Sequence, residues 1–306
     1  MDQKDLFRTK IKQILTAEQI CEAEPMRKHT TFRVGGEADF FVMPTIAQIP
    51  EVVSLVKECE LALTVIGNGS NLLVGDRGIR GVVLELGNHA NALSIDPQSA
   101  VVEAEAGVLL SVVANQAARA CLTGLEFAAG IPGSLGGGVY MNAGAYGGEL
   151  KDVIETVTVL TRDGQILERV KEQLDLSYRH SRMMENDEII LKARLQLATG
   201  QQDEIYAKME ELKQKRIEKQ PLEYPSAGST FKRPEGYFAG KLIEDAGLRG
   251  FRIGDAQVSE KHCGFVINRG NATAADILEL MKQVDEKVQQ KFGVPLEPEV
   301  RILGEF

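Results

Sequence analysis

Two spacings of hydrophobic positions run through this chain, and they separate predicted helices from predicted strands. Apolar residues three or four apart predict helices at 49–56, at 109–120 and after Thr273, and a charged helix is expected at 203–220. We also predict an amino-terminal helix over residues 2–22. Short apolar or alternating runs bounded by turn residues predict strands, which fall at 38–42, 62–66, 82–86, 92–95, 101–106, 156–161, 165–170 and 189–197.

Local signals mark several element ends. Thr45 and Gln48 form a capping box before one helix, and Thr273 and Gly293 bound the final helix. Asp163-Gly164 is a strong turn signal and predicts a hairpin between the two strands that flank it.

The order of these elements divides the chain into three predicted parts. Residues 1–86 are expected to form a small α/β fold, residues 87–200 an α+β section, and residues 201–306 a more charged third part. With 306 residues the chain is long enough for two or three domains with cores of their own. The predicted fold class is therefore mixed, α+β and α/β.

The densest glycine cluster covers residues 130–148. It holds 8 of the 30 glycines in 19 residues, where an even spread would give about 2. Glycine loses much backbone entropy when it is ordered, so such a cluster needs a reason. A flexible linker is one, but linkers are poor in the Ile, Leu, Val, Tyr and Met found here. Composition favours the other, a sharply turning backbone that presents N–H groups to a diphosphate.

A second glycine turn, with the sequence GNGSNLL, occupies residues 67–73 after a predicted strand and suits the same purpose. Neither common nucleotide pattern fits. Leu72 stands where the dinucleotide pattern needs its third glycine, and Leu242 follows Gly240-Lys241 where a phosphate loop needs Ser or Thr. The sequence therefore predicts two phosphate-type loops outside the two commonest nucleotide folds.

Charge and composition exclude several classes of partner. A formal net charge of −9 argues against nonspecific nucleic-acid binding. No apolar run approaches the roughly 20 residues that span a membrane, and no signal-peptide core is present. The 4 cysteines and 4 histidines are scattered, which favours reduced thiols in the cytoplasm and no metal site. Residues 208–252 are locally basic, with 10 Lys and Arg against 7 Asp and Glu, which suits either an anionic ligand or a solvated helix face.

Six stretches occur in one order: TFRVGG (31–36), GNGSNLL (67–73), the cluster 130–148, YRHS (178–181), AGSTFK (227–232) and LEPEVRILG (296–304). Together they resemble the UDP-N-acetylenolpyruvoylglucosamine reductase family over nearly all of residues 26–306. Only 50 positions separate Arg179 from Ser229, so the chain resembles the shorter, second type, which lacks a segment with a substrate-covering tyrosine. Arg233 stands where the longer type has asparagine, and Met183 stands where an aromatic residue is frequent.

The resemblance implies an FAD-binding domain of the vanillyl-alcohol-oxidase (PCMH) type, built from two subdomains, and an α/β substrate-binding domain. It implies noncovalent FAD and NADPH as co-substrate. The family reduces the enolpyruvyl ether of UDP-N-acetylglucosamine to UDP-N-acetylmuramate, which implies a cytoplasmic enzyme of cell-wall synthesis, cell shape and division. A monomer is expected. The residues that match the family's FAD loops are Gly67, Asn68, Gly69, Ser70, Asn71, Ile131, Pro132, Gly133, Ser134, Gly137, Met141, Asn142, Gly144 and Ala145.

The resemblance also implies three catalytic roles. Hydride delivered to C3 of the enolpyruvyl group leaves negative charge at C2, which a cation must meet and an acid must protonate. The arginine and glutamate that the family places at this charge match Arg179 and Glu299, and its serine proton donor matches Ser229. The expected substrate contacts are Tyr178, Lys219 and Arg233, the last two at the diphosphate.

Two alternatives stay open. Another FAD oxidoreductase of the same fold, acting on a hydroxy acid or an alcohol, would not need the roles of Ser229 and Glu299. A non-catalytic module that binds flavin or a UDP-sugar would not need Arg179, Ser229 and Glu299 together.

Overall fold

The computed structural model describes residues 2–306. In the helices at 49–58, 110–119 and 274–292, apolar residues recur three or four positions apart, which gives each of these helices an apolar stripe to bury. Within residues 2–306 the α-helices are, in chain order, α1 (Gln3–Lys10), α2 (Ile49–Glu58), α3 (Leu110–Arg119), α4 (Leu135–Tyr140), α5 (Arg182–Asn186), α6 (Gln202–Lys219), α7 (Ala239–Asp245) and α8 (Ala274–Phe292).

The strands are short, as expected for alternating runs bounded by turn residues. In the first half of the described chain they are β1 (Ile20–Pro25), β2 (Glu37–Val42), β3 (Leu63–Ile66), β4 (Leu72–Val74), β5 (Ile79–Glu85), β6 (Leu93–Asp96), β7 (Val101–Glu105), β8 (Leu122–Thr123), β9 (Gly144–Ala145) and β10 (Gly148–Glu149). The later strands are β11 (Ile154–Leu160), β12 (Ile166–Val170), β13 (Ile189–Gln196), β14 (Ala198–Thr199), β15 (Arg252–Ile253), β16 (Ala256–Val258), β17 (Val266–Asn268) and β18 (Arg301–Leu303).

Pairing of these strands builds a four-stranded sheet, β1-β2-β5-β3, and a five-stranded sheet, β12-β11-β13-β7-β6. Smaller sheets are β15-β16-β17, β10-β9, β14-β8 and β18-β4. The pair β3–β5 is parallel, as is β18–β4, whereas the five-stranded sheet is antiparallel throughout. The predicted hairpin β11–β12 turns at Asp163-Gly164, where Gly164 has a φ of 82°.

The described chain divides into two compact units. The first comprises the segment up to Glu22 together with Phe40–Asn68 and Gly81–Lys215. Its core gathers buried side chains from α1, α2, α3 and the five-stranded sheet. Phe7 and Phe40 pack edge to face in this core, with ring centroids 4.9 Å apart.

The second unit comprises Ala23–Asp39, Gly69–Arg80 and Arg216–Phe306. Its core is built on α8. The apolar stripe of α8 is buried as predicted, and consists of Ile277, Leu280, Met281, Val284 and Val288.

Both ends of α8 have the predicted caps. Thr273 Oγ1 accepts a hydrogen bond from the N–H of Asp276 at 3.0 Å, and Gly293 ends the helix with a φ of 70°. Asp76 adds a second amino-terminal cap. Its Oδ1 accepts from the N–H of Ala274 at 2.8 Å and its Oδ2 from the N–H of Ala275 at 2.9 Å.

Two predictions of local structure were wrong. The amino-terminal helix stops after Lys10, because a capping box at Thr16 and Gln19 starts a separate 3-10 turn and β1 begins at Ile20. The cluster 130–148 is not only loop, since it contains the helix α4. The other predicted helices and strands are confirmed to within a few residues. None of the helices within residues 2–306 combines the length and apolar composition needed to traverse a bilayer.

Candidate functional site

The two glycine-rich stretches meet in the first unit. Strand β3 ends at Ile66, and the chain turns at Gly67. A Cβ on Gly67 would lie 2.2 Å from Ser134 Oγ, so the two loops touch where that side chain is missing. Asn68 Nδ2 also donates to the carbonyl oxygen of Pro132 at 2.5 Å. The fold thus joins two loops that the sequence predicted separately.

Helix α4 runs through the second loop although it contains three consecutive glycines, which disfavour a helix. Close packing explains them. A Cβ on Gly136 would lie 2.7 Å from Ala106 Cβ, and one on Gly138 would lie 2.8 Å from Leu110 Cδ1. Ser134 caps the helix by accepting from the N–H of Gly137 at 3.4 Å.

The remaining matched residues of the second loop surround this helix. The carbonyl oxygen of Gly133 accepts from the N–H of Leu110 at 2.9 Å, which fixes the chain just before α4. Met141 is the carboxyl-terminal cap of α4. Gly144 and Ala145 form β9 and pair with β10. Ile131 is half-buried and packs against the core of the first unit.

Gly69, Ser70 and Asn71 belong to the second unit. Gly69 has a φ of 61°, and a Cβ there would lie 1.8 Å from the carbonyl oxygen of His29. None of the backbone N–H groups of residues 67–71 donates a hydrogen bond to another residue of the described chain. Successive unpaired N–H groups of this kind are available to an anion.

Arg179 lies at the tip of a two-residue turn between Ser177 and His180. The N–H of Ser177 donates to the carbonyl oxygen of His180 at 3.3 Å, and the reverse bond is 3.2 Å. Arg179 has a left-handed φ of 55°, and its guanidinium carbon lies 5.1 Å from the ring centroid of the exposed Tyr178. This conformation costs a non-glycine residue about 1 kcal/mol, so the surroundings must hold the turn.

Asn142, from the second glycine loop, holds one side of that turn. Its Nδ2 donates to the carbonyl oxygen of Ser177 at 2.9 Å and to Glu149 Oε2 at 2.9 Å. Its Oδ1 accepts from the N–H of Lys151 at 3.0 Å. Asn142 is 1 % exposed, and both N–H groups and the oxygen of its side-chain amide are hydrogen-bonded to other protein groups.

Ser181 holds the other side. Its Oγ is fully buried and donates to the carbonyl oxygen of Tyr140, the last residue of α4, at 2.7 Å. Glu149 adds a negative charge beside Arg179. The hydrogen bond from Lys151 lowers the pKa of Glu149, and Asn142 and the charge of Arg179 lower it further.

Ser229 and Glu299 come together in the second unit. Thr230, which follows Ser229, is fully buried, and its N–H donates to the carbonyl oxygen of Gly264 at 2.9 Å. The carbonyl oxygen of Thr230 accepts from the N–H of Glu299 at 2.9 Å. Asn71 Nδ2 donates to the carbonyl oxygen of Glu299 at 3.0 Å. Asn71 and Glu299 therefore share one hydrogen-bonded cluster with Thr230, the chain neighbour of Ser229, whereas Arg179 belongs to the first unit.

The predicted diphosphate contacts have different surroundings. The guanidinium carbon of Arg233 lies 3.9 Å from the ring centroid of Phe238, and Nε donates to the carbonyl oxygen of Tyr237 at 3.3 Å. Lys219 is the exposed last residue of α6. Burial lowers the pKa of His262, and the charges of Arg249 and Lys219 lower it further.

The locally basic segment is, over α6, a solvated helix face. Lys208 and Lys215 pair with Glu211, and Lys213 pairs with Glu210, all of them exposed. Pairs of this kind contribute little to stability. In the body of this helix these lysines are paired with glutamates of the same helix, as expected for a solvated helix face.

The fold also brings together a group that the scattered histidines did not predict. Ligand atoms of Asp175, His180 and Glu185 lie within 4.8 Å of one another. His180 Nε2 lies 3.5 Å from Asp175 and 3.6 Å from Glu185, and both carboxylates are exposed. These three groups lie on the surface and contact one another directly, and we assign no metal to them.

Sequence reasoning did not identify the residues that position the site. Ser181 and Thr230 lie inside the YRHS and AGSTFK stretches, and that adjacency was the available signal. Glu149 follows the glycine cluster and carries no such signal, because its relation to Arg179 exists only in the fold.

Two family models match this chain. One is described as an FAD binding domain and matches residues 38–169. The other is described as the C-terminal domain of UDP-N-acetylenolpyruvoylglucosamine reductase and matches residues 220–303.

Full-length relatives agree with these matches. A UDP-N-acetylenolpyruvoylglucosamine reductase of Agathobacter rectalis is 57% identical over 297 residues, covering 94% of this chain and 95% of the relative. The crystal structure of UDP-N-acetylenolpyruvylglucosamine reductase from Thermus caldophilus is 36% identical with a TM-score of 0.79, covering 92% of this chain and 97% of that one.

An alkyldihydroxyacetonephosphate synthase is similar in fold alone, with 15% identity and a TM-score of 0.50 over 63% of this chain and 40% of that one. Together with the FAD-binding match and the Thermus structure, this likeness confirms the predicted fold class, an FAD-binding domain of the vanillyl-alcohol-oxidase type followed by a substrate-binding domain.

Proposed function

The chain belongs to the UDP-N-acetylenolpyruvoylglucosamine reductase family, and we propose that Arg179, Ser229 and Glu299 carry its reaction. The enzyme reduces the enolpyruvyl ether of UDP-N-acetylglucosamine to UDP-N-acetylmuramate, with FAD as cofactor and NADPH as co-substrate. The observation that supports these residue roles best is the backbone hydrogen bond from Glu299 to Thr230, because Thr230 is the chain neighbour of Ser229.

The glycine loops fit FAD. The unpaired N–H groups of residues 67–71 suit its diphosphate, and the missing side chain at Gly67 lets the second loop approach. We assign the diphosphate to Gly67, Gly69 and Ser70 with the loop before α4. When bound, FAD supplies to C3 of the substrate the hydride that it receives from NADPH. It is held noncovalently.

Arg179 meets the charge that develops at C2 and on the substrate carboxylate. Its planar guanidinium suits a carboxylate better than a lysine would, because it can donate two parallel hydrogen bonds. The charge of Glu149 lies near Arg179, and the turn limits where the guanidinium can move. We assign Tyr178, whose ring packs against the Arg179 guanidinium, as a substrate-binding residue.

Ser229 gives a proton to C2. A free hydroxyl is a weak acid, so nearby positive charge must stabilise the alkoxide that forms, or a relay to water must return the proton to the oxygen. Thr230 fixes the backbone next to Ser229 on both its N–H and its carbonyl side. Glu299, held by Thr230 and Asn71, assists at the same carbon when it holds a proton.

The test separates the two half-reactions of Ser229→Ala by stopped-flow absorbance of the bound flavin. Bleaching by NADPH should stay near the unmodified rate, because C2 is not yet involved. Reoxidation by the enolpyruvyl substrate should fall about 10²–10⁴-fold, the usual loss for one general acid. Ser229→Cys should regain part of it, since a thiol is the stronger acid.

Ser226→Ala is the matched control, since Ser226 is a half-buried serine of the same loop. It should leave both half-reactions unchanged. Undamaged reoxidation in Ser229→Ala would remove Ser229 from the mechanism. A hydroxy-acid oxidase would be bleached but would not be reoxidised by this substrate, and a binding module would show neither change.

We also assign Lys219 and Arg233 to the UDP diphosphate, because both are cations of the locally basic segment 208–252. In functional terms we propose two FAD-binding subdomains, 1–86 and 87–200, and a substrate domain, 201–306. The enzyme acts as a monomer in the cytoplasm and serves cell-wall synthesis, cell shape and division. Gel filtration tests whether the enzyme is a monomer, and cell fractionation tests whether it lies in the cytoplasm.

A further inference from the structure

Asn142 has a distinct place among the residues matched to FAD. Its side chain is 1 % exposed, and its partners are Ser177, Glu149 and Lys151. An amide side chain offers two N–H donors and one oxygen, and all three are engaged by this protein. The Asn142 side chain therefore has no N–H left to donate to a cofactor.

The partner that matters is the carbonyl oxygen of Ser177. Ser177 is the first residue of the turn that contains Arg179, and the backbone of Arg179 has a left-handed φ there. On the far side of the turn Ser181 is tied to Tyr140, so both anchors come from α4 or the residue pair that follows it. The turn and the second glycine loop are thus joined by two partly buried hydrogen bonds, 2.9 Å and 2.7 Å long.

We propose that Asn142 is a positioning residue, which sets Arg179 relative to the second glycine loop and does not itself bind FAD. This inference rests on the proposed role of Arg179. Losing the bond to Ser177 frees one arm of a turn that is unfavourable for a non-glycine residue. The guanidinium then moves away from the substrate carboxylate, and a misplacement of about 1 Å can cost a reaction about 10²-fold.

The experiment uses Asn142→Ala in the full chain, with three readouts. FAD affinity, measured by quenching of flavin fluorescence, should change by no more than about twofold, because the lost contacts are within the protein. Bleaching by NADPH should likewise change little. Reoxidation by the enolpyruvyl substrate should slow by about 10–100-fold, mostly in its limiting rate rather than in the substrate concentration for half-saturation.

Asn115→Ala is the matched control. Asn115 belongs to the same unit, its Nδ2 makes one exposed hydrogen bond to Ser111, and no part of the site depends on it. All three readouts should be unchanged. Should Asn142→Ala fail to fold, Ser181→Ala removes the other anchor of the turn and must produce the same selective loss of reoxidation.

The decisive arm combines Asn142→Ala with Arg179→Ala. If Asn142 acts through Arg179, the double variant should reoxidise no more than about twofold slower than Arg179→Ala alone. The inference would be overturned if the rate losses of the two single variants multiplied in the double variant. Weaker FAD binding by Asn142→Ala, or equal loss of both half-reactions, would also overturn it. Normal reoxidation in Arg179→Ala alone would instead refute the proposed role of Arg179, a result that does not involve Asn142.

Discussion

Gly67→Ala tests whether the contact between the two glycine loops requires a residue without a side chain at position 67. Gly67 does not have a left-handed φ, so alanine meets no backbone strain there. Its Cβ would lie 2.2 Å from Ser134 Oγ, 3.4 Å from Ser134 Cβ and 3.9 Å from the nitrogen of Gly137. Only the hydroxyl is too close, and it must retreat by about 1.2 Å to reach an ordinary contact of 3.4 Å.

Ser134 can retreat by rotating its side chain, but it then loses the cap bond to Gly137. Losing a serine cap costs about 1 kcal/mol. Gly67→Ala should therefore lower the free energy of unfolding by about that amount, measured by urea denaturation. If the loops must regain the capped arrangement to hold FAD, the dissociation constant for FAD should rise about fivefold.

The rescue is Ser134→Gly, which removes the hydroxyl and, at a cap position, costs only a few tenths of a kcal/mol. The double variant should be about as stable as Ser134→Gly alone. Additive losses in the double variant would show that the collision with Ser134 is not the cause. Gly69→Ala is the contrast, because its Cβ would lie 1.8 Å from a backbone carbonyl at a φ of 61°, which no side-chain rotation relieves.

Two further predictions concern stability. Asp76→Ala should destabilise the second unit by about 1–2 kcal/mol in urea denaturation, since two capping bonds to α8 are lost, and Asp76→Asn should cost less because it keeps one acceptor; equal losses would contradict the cap. Burial raises the pKa of Glu85, whose Oε2 has no hydrogen-bond partner within residues 2–306. A raised carboxyl pKa means that the folded state binds the proton more tightly, so this stabilising contribution is full below the unfolded pKa and is lost as pH rises through the folded one. Glu85→Gln should therefore be about 1 kcal/mol more stable than the unmodified protein at pH 8, with the gap closing toward pH 4, and a gap independent of pH would contradict the assignment.

The sequence predicted elements whose pattern is local and missed those decided by packing. The stripe of α8 and the turn at Asp163-Gly164 were predictable, because spacing and turn residues specify them. Helix α4 was not predictable, because glycines disfavour a helix. Only the structure shows that Ala106 and Leu110 leave no room for a Cβ at Gly136 and Gly138. The predicted helix over residues 2–22 fails for two reasons: a capping box at Thr16 and Gln19 starts a new turn, and the chain from Ile20 pairs as β1 in a sheet.

The same distinction holds at the site. Gly67 was predicted from the glycine turn after a strand, and Ser229 and Glu299 were predicted by resemblance. The structure adds that Glu299 is hydrogen-bonded to Thr230, the residue after Ser229. The attachment of Asn142 to Ser177 joins positions 35 apart, with partners that no spacing rule connects. Such contacts depend on the path of the chain between them and cannot be inferred from one sequence.

The interleaved segments of the two units have a consequence for how the protein is made. The first unit has all its segments once Lys215 has been synthesised, whereas the second waits for Arg216–Phe306. Strand β4 in particular pairs with β18, so Leu72 stays without its neighbour until Arg301 has emerged from the ribosome. During that interval a nascent chain exposes an apolar strand edge, which is the kind of surface that chaperones bind and that aggregation exploits.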